Sequence, residues 1–230
     1  MAMTRNWATT TAACLMLVAA NGFAQKAEHP DSKDWKPLFN KALDNAVFDK
    51  GVWYYDDNGN LTATEDKIIW SADDYENVTV DLEYSFGAAA NSGVFIYCTD
   101  VNNSTPNSLE IQILDDNHEG NKTINPTWKN GGLFGHLAPK VNNVKAPGEW
   151  NKMTITAKGQ SISVIVNGEV TVDNADLSKW TSAKTNPDGS EIPPWLSKPK
   201  AELPTKGRIG LQGKHGGAPI YFRYIRVKSN

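Results

Sequence analysis

Between Asn151 and Val172 apolar and polar residues alternate with period two, and only two glycine turns interrupt them, Lys158-Gly159 and Asn167-Gly168. Successive side chains of a strand point to opposite faces, so this pattern builds a half-buried sheet and does not suit a helix. Asn-Gly favours the two-residue type I′ hairpin, whose central residues both need positive φ. The stretch therefore predicts a three-stranded antiparallel meander. The same period predicts strands over Val52–Tyr55, Leu61–Thr64, Lys67–Ser71, Val78–Phe86, Gly93–Cys98, Leu109–Leu114, Leu133–His136, Arg208–Gln212 and Ile220–Val227. Turn signals about every 8–12 residues and an almost complete lack of helical stripes place the chain among all-β sandwiches of antiparallel sheets.

The strand rhythm fails from Asp173 to Pro204, where Trp180, Pro193-Pro194-Trp195 and Pro199 fall. A loop this long inside a compact domain is expected to be functional, and its tryptophans are expected to pack on the body beside a binding site. At the other end, residues 1–24 read as an export signal: Arg5 precedes the apolar run Ala12 to Ala20, and small residues, Gly22 and Ala24, flank a cut. Cys14 lies inside that run rather than after it, which argues against a lipoprotein anchor. The expectation is one exported domain, 25–230, periplasmic or secreted, with no transmembrane segment in the mature chain. Of the two cysteines only Cys98 remains after cleavage, so no intrachain disulfide forms. A net charge of −3 offers no basic footprint for nucleic acid.

Within Leu109–Leu114, Glu110 and Gln112 share one strand face while Ile111 and Ile113 share the other. A carboxylate beside a carboxamide suits hydroxyl-rich ligands, and Glu110, Asp115 and Asp116 are the strongest candidates for acid/base work on a sugar. A glutamate on a wet sheet face is also ordinarily just solvated, and Asp-Asp at a strand end suits a turn. His136 and His215 are both flanked by glycines that let a ligand approach the backbone. Neither has metal-binding spacing, so a metal site would have to be assembled in space with Glu110 or Asp115. Trp53, Trp70 and Trp128 are the candidates for a sugar-stacking platform, against the alternative that they are core or loop anchors. No nucleophilic serine elbow, phosphate-binding loop or cysteine nucleophile motif is present.

A series of motifs runs in order along the mature chain. Trp35-Lys36-Pro37-Leu38-Phe39-Asn40, Asn91-Ser92-Gly93-Val94-Phe95-Ile96 and Leu109 to Asp116 come first. Gly132-Leu133-Phe134-Gly135, Pro147-Gly148-Glu149-Trp150-Asn151, Val166-Asn167-Gly168, Gly207 to Gln212 with His215-Gly216, and Phe222 to Arg226 follow. Together they resemble the exported bacterial 3-keto-disaccharide hydrolases, which have a concanavalin A-like jelly-roll fold. The resemblance implies cleavage of glycosides whose sugar a partner sugar 3-dehydrogenase has oxidised at C3. A C3 ketone acidifies the C2 proton, a base removes it, the enolate expels the C1 aglycone, and water then adds. Such chemistry needs a base, enolate stabilisation and a donor to the leaving group, and a divalent metal ion could polarise the ketone.

By the same resemblance Glu110 or His136 is the base, Asp115 and His215 are metal or substrate ligands, and Gln112, Gln212 and Arg223 orient hydroxyls. Tyr97 stands where the family commonly carries arginine, and Tyr224 where it commonly carries asparagine, so Tyr97 enters the candidate substrate-binding set as a departure. β-Glucanases of this fold carry further carboxylates at alternating positions of the corresponding strand. Gln112 and Leu114 occupy them here, which disfavours direct hydrolysis of unmodified glucans. A non-catalytic carbohydrate-binding module is the alternative.

Overall fold

A computed structural model describes residues 25–230, so the expected export signal and Cys14 lie outside the described residues. The strands in chain order are β1 (Lys36–Pro37), β2 (Ala46–Val47), β3 (Trp53–Tyr55), β4 (Leu61–Ala63), β5 (Ile68–Ser71), β6 (Tyr75–Glu76) and β7 (Val78–Phe86). There follow β8 (Asn91–Cys98), β9 (Leu109–Leu114), β10 (Asn151–Lys158), β11 (Ser161–Val166), β12 (Glu169–Asp176), β13 (Lys206–Gln212) and β14 (Ile220–Ser229). The larger sheet runs β12-β11-β10-β7-β14-β4-β3, with β1 also on β14; the smaller runs β2-β5-β13-β8-β9, with β6 also on β13. Every named pairing is antiparallel.

The meander forms as its residues dictate. Asn167 and Gly168, at φ 48° and 79°, turn β11 into β12, and β10 pairs β11 from Met153↔Val166 to Lys158↔Ser161. Apolar residues at alternate positions meet between the sheets: Val80, Leu82 and Tyr84 from β7, Met153 and Ile155 from β10, and Phe222 from β14 face Val94, Ile96, Ile111, Ile113, Ile209 and Leu211. Removing that much apolar area from water is the main force closing the sandwich.

The segment expected as a strand over Leu133–His136 forms only bridges, Ile111↔Leu133 and Leu133↔Leu137. Gly131 and Gly135 take φ 77° and 72°, and the His136 N–H turns back to the Leu133 carbonyl, 2.8 Å, so the chain folds over at the sheet edge instead of extending. The long insertion is ordered as expected. Leu177, Trp180, Ile192, Leu196 and Leu203 join the core. Trp180 Nε1 donates to Asn186 Oδ1, 2.9 Å, and Asn186 Nδ2 donates to the Gly135 carbonyl, 3.1 Å, tying the insertion to the edge loop. Among the described residues no helix is long and apolar enough to cross a membrane.

Candidate active site

Strand register draws a row across the outer face of the smaller sheet. Val47 faces Trp70, Trp70 faces Gly210, Gly210 faces Phe95, and Phe95 faces Glu110. The Phe134 N–H extends the row by donating to the Glu110 carbonyl, 3.0 Å. Two residues along, Gln212 faces Ile68 and Gln112 faces Gly93.

Two glycines lower this floor. A Cβ on Gly93 would stand 2.8 and 2.9 Å from Cγ and Cδ of Glu110, and one on Gly210 would stand 2.5 Å from the Trp70 ring. Any side chain at those positions would therefore displace the two groups that lie across them. Trp70 packs on Phe95, ring centroids 5.7 Å apart, in a small cluster with Cys98 that Ile68 and Val101 cover. Cys98 is buried as a small apolar residue, and burial lifts its thiol to about 11.

Glu110 is the group this floor serves. Desolvation raises its pKa from 4.5 to about 8, the charge of Asp66 adds to the rise, and the Lys200 ammonium opposes it. No hydrogen bond from the protein figures among its perturbers. A desolvated carboxyl with its oxygens uncommitted is suited to exchanging a proton with a ligand near neutral pH. Lys200 comes from the insertion, is only 1% exposed, and donates from Nζ to the Ser108 carbonyl, 2.7 Å. Burial lowers its pKa to about 8, against the pull of Glu110. Residue identity alone gives no sign of this partner, because Lys198-Pro199-Lys200 reads as a solvated proline loop.

His136 is buried, and burial followed by the Lys200 charge pushes its pKa down to about 3, with Asn186 acting the other way. Neither ring nitrogen has a hydrogen-bond partner of acceptable geometry. It is a neutral imidazole behind the site. Gln112 does face the Glu110 side: its Nε2 donates to Asn91 Oδ1, 2.9 Å, and its Oε1 has no donor. Gln212 is half-buried in a cleft of about 420 Å³ with Ile68, Trp70, Asp66, Val101 and Asn102. His215 stands at the rim of the same face, its backbone bridged to Asn91 and its Nδ1 2.7 Å from Asp66 Oδ2. Trp128 lies at the far end, 5.7 Å from Phe134 and 6.2 Å from the exposed Trp195 of the insertion.

Other expected members do not reach this face. Asp115 continues the ladder through its N–H to the Ala90 carbonyl, which turns its side chain to the core face, where Oδ2 accepts the Ala89 N–H at 2.9 Å. Its place is a loop brace for Ala89, whose φ is 61°. Trp53 is core, packed on Phe222 at 6.2 Å with Nε1 donating to the Lys67 carbonyl. Tyr97 is also core: it is 1% exposed and donates from its hydroxyl to the Gly159 carbonyl, 2.8 Å, across the sandwich. Arg223 belongs to β14 of the larger sheet, where it pairs with Glu83 at 2.7 Å and covers the Trp150 ring at 3.9 Å. Membership of the other sheet, which local pattern does not reveal, removes it from Glu110. Among the described residues no three His, Cys, Asp or Glu side chains converge to hold a metal ion. Asp115 and His215, expected as metal or substrate ligands, do not come together as a metal site, since Asp115 faces the core and His215 stands at the rim of the outer face.

Residues 34–228 match the family described as the 3-keto-alpha-glucoside-1,2-lyase-like domain. A protein of Parabacteroides distasonis ATCC 8503, assigned provisionally to the glycosyl hydrolases, is 51% identical, with a TM-score of 0.82 over 85% of this chain and 99% of that one. A second from the same organism, with the same provisional assignment, is 21% identical, with a TM-score of 0.63 over 86% and 84%. A Bacillus subtilis protein of unknown function with a galectin-like fold is 14% identical, with a TM-score of 0.53 over 84% and 93%, and shares the jelly-roll sandwich. None of the curated proteins matches. The span of that family match, nearly all of the described chain, makes this protein a member of the 3-keto-alpha-glucoside-1,2-lyase-like family.

Proposed function

We propose that the protein cleaves 3-keto-glycosides by elimination, with Glu110 as the base. The observation that carries this reading is the Glu110 carboxyl: desolvated, held to about 8, and laid over Gly93 with no protein hydrogen bond among the causes of its shift. A base of that pKa is matched to a carbon acid activated by a neighbouring ketone. His136, held to about 3 and buried, is a far weaker base.

Glu110 takes the proton from C2, and the C–H pair becomes the enolate of the C3 ketone. The enolate then reforms its carbonyl as the C1–O bond breaks, leaving a C1=C2 double bond and an alkoxide that takes up a proton. Water added across that double bond completes a net hydrolysis. Lys200 supplies positive charge to the desolvated pocket in which the anion develops. His215, oriented by Asp66 at the rim, is the donor to the departing oxygen, and Gln112 and Gln212 bind hydroxyls. In this reading the sugar oxidised at C3 comes from a separate dehydrogenase.

Purified protein incubated with a 3-keto-glucoside should release the aglycone and leave the matched unoxidised glucoside intact. Binding of the keto sugar without release would overturn the reading in favour of a carbohydrate-binding module. Replacing His215 by alanine should slow release of a poor alkoxide leaving group far more than release of a nitrophenolate, which needs no protonation; equal slowing would remove His215 from the donor role.

A further inference from the structure

The larger sheet carries a second feature on its own outer surface, independent of the chemistry at Glu110. At the bulge of β14, where the register with β7 shifts between Arg223 and Arg226, Tyr224 takes φ 50° and is 62% exposed. A bulky residue in the left-handed region is strained by roughly 1–2 kcal/mol, and an exposed ring recovers little of that by burial. The ring is nonetheless held in place. The Arg223 guanidinium lies 5.1 Å from its centroid and 3.9 Å from that of Trp150, and Glu83 fixes the guanidinium by Nε at 2.8 Å.

Tyr224 forms one wall of a cleft of about 690 Å³, with Phe39 and Tyr55 inside and Lys41, Asp57 and Arg226 among its polar lining. That volume falls within the range of about 300–1,000 Å³ typical of small-ligand sites. The charges are of mixed sign: Lys41 and Arg226 balance Asp56 and Asp57, while Arg223 is neutralised by Glu83. Asp56 is already engaged by the Asn58 and Asn60 N–H groups, at 3.0 and 2.8 Å, which leaves Asp57 and Lys41 to meet a ligand. A backed aromatic face beside hydrogen-bonding groups without net charge matches a neutral sugar ring.

We propose that this cleft is a second glycan-binding site, in which a neutral hexose unit of a glycan chain stacks on Tyr224 and its hydroxyls meet Asp57 and Lys41. It would hold the protein on a polymer while the opposite sheet works on a small glycoside.

The test is affinity electrophoresis of the full mature chain in gels containing starch, a mixed-linkage β-glucan or a galactomannan. At least one of these should retard the wild type. Tyr224→Gly should weaken that retardation about tenfold or more, the loss of about 1.4 kcal/mol of stacking, and Tyr224→Phe should keep it. Because glycine accepts φ 50° freely, Tyr224→Gly should melt at or above the wild-type midpoint. The proposal falls if no polysaccharide retards the wild type, if Tyr224→Gly is retarded equally, or if that variant melts well below the wild type and the ring thereby proves structural.

Discussion

Replacing Glu110 by glutamine should abolish turnover and stabilise the protein, with a pH signature that follows from the same carboxyl. The unfolded chain ionises this group near 4.5, whereas the folded chain keeps its proton until about 8. Between those values the unfolded state holds fewer protons, so folded stability falls as pH rises, by about 1.4 kcal/mol per unit, and levels off above about 8. The loss amounts to about 3 kcal/mol by pH 7 and approaches about 5 kcal/mol above pH 8. Glutamine has nearly the same shape and cannot ionise, so the variant escapes this loss. These figures are upper bounds, because Glu110 is only half-buried and solvent screens part of the shift, while the attraction of Lys200 is already contained in it. For a domain of this size, 3 kcal/mol is roughly 6–12 °C in melting midpoint. Melting curves of both proteins from pH 4.5 to 9 should start together and diverge as pH rises, while aglycone release from a 3-keto-glucoside falls by at least about a hundredfold. A gap in midpoint that does not change with pH would refute the burial argument, and unimpaired release would refute the assignment of the base.

Wild-type turnover should rise with pH through about 8, because the base acts in its ionised form; Lys200→Met removes the cation that favours that form and should move the rise to higher pH. A pH profile identical in the two proteins would separate Lys200 from Glu110. Gly93→Ala drives a methyl against Cγ and Cδ of Glu110, and a displacement of about 1 Å at a reacting group should lower kcat by about a hundredfold while circular dichroism stays unchanged. Asp115→Ala leaves the Ala89 N–H without its carboxylate and should cost about 1–3 kcal/mol in denaturant unfolding, with kcat unchanged at temperatures where the variant is folded.

The strands were legible because alternation is a local property: each residue of β10, β11 or β9 declares its face through its neighbours two positions away. Gln112 falls beside Glu110 for that reason, and both lie on the outer face. What sequence could not supply was the order of strands. Gln212 and Arg223 are equally polar and equally strand-borne, yet β13 lies beside β8 in the smaller sheet and β14 lies beside β7 in the larger one. The same blindness put Trp53 and Tyr97 among ligand contacts, since an aromatic residue reads alike whether it stacks on a sugar or fills a sandwich. Leu133–His136 misled for a local reason, because its glycines at positive φ override apolar content. Lys200 was invisible for a third: nothing in a proline-spaced loop records that its lysine ends up buried against the Ser108 carbonyl.

Lys200 also bears on the proposed preference for elimination over direct hydrolysis. A retaining glycosidase separates two roles, a carboxylate that stays ionised as nucleophile and a second that stays protonated as acid. Gln112 follows Glu110 on this face with no charge, and Leu114, next in the alternation, is buried. Asp66 is the one further carboxylate among the charges that perturb Glu110, and it is held by His215. What remains is one carboxyl near neutrality beside a lysine brought down to about 8 by burial. Burial lowers Lys200 while the Glu110 charge raises it, and the Lys200 charge in turn lowers Glu110, so each ionised form favours the other. Under the proposed elimination, that combination would stabilise an enolate while offering no nucleophile partner for an intact acetal, so selectivity for an oxidised sugar would rest as much on the insertion that delivers Lys200 as on the strand that carries Glu110.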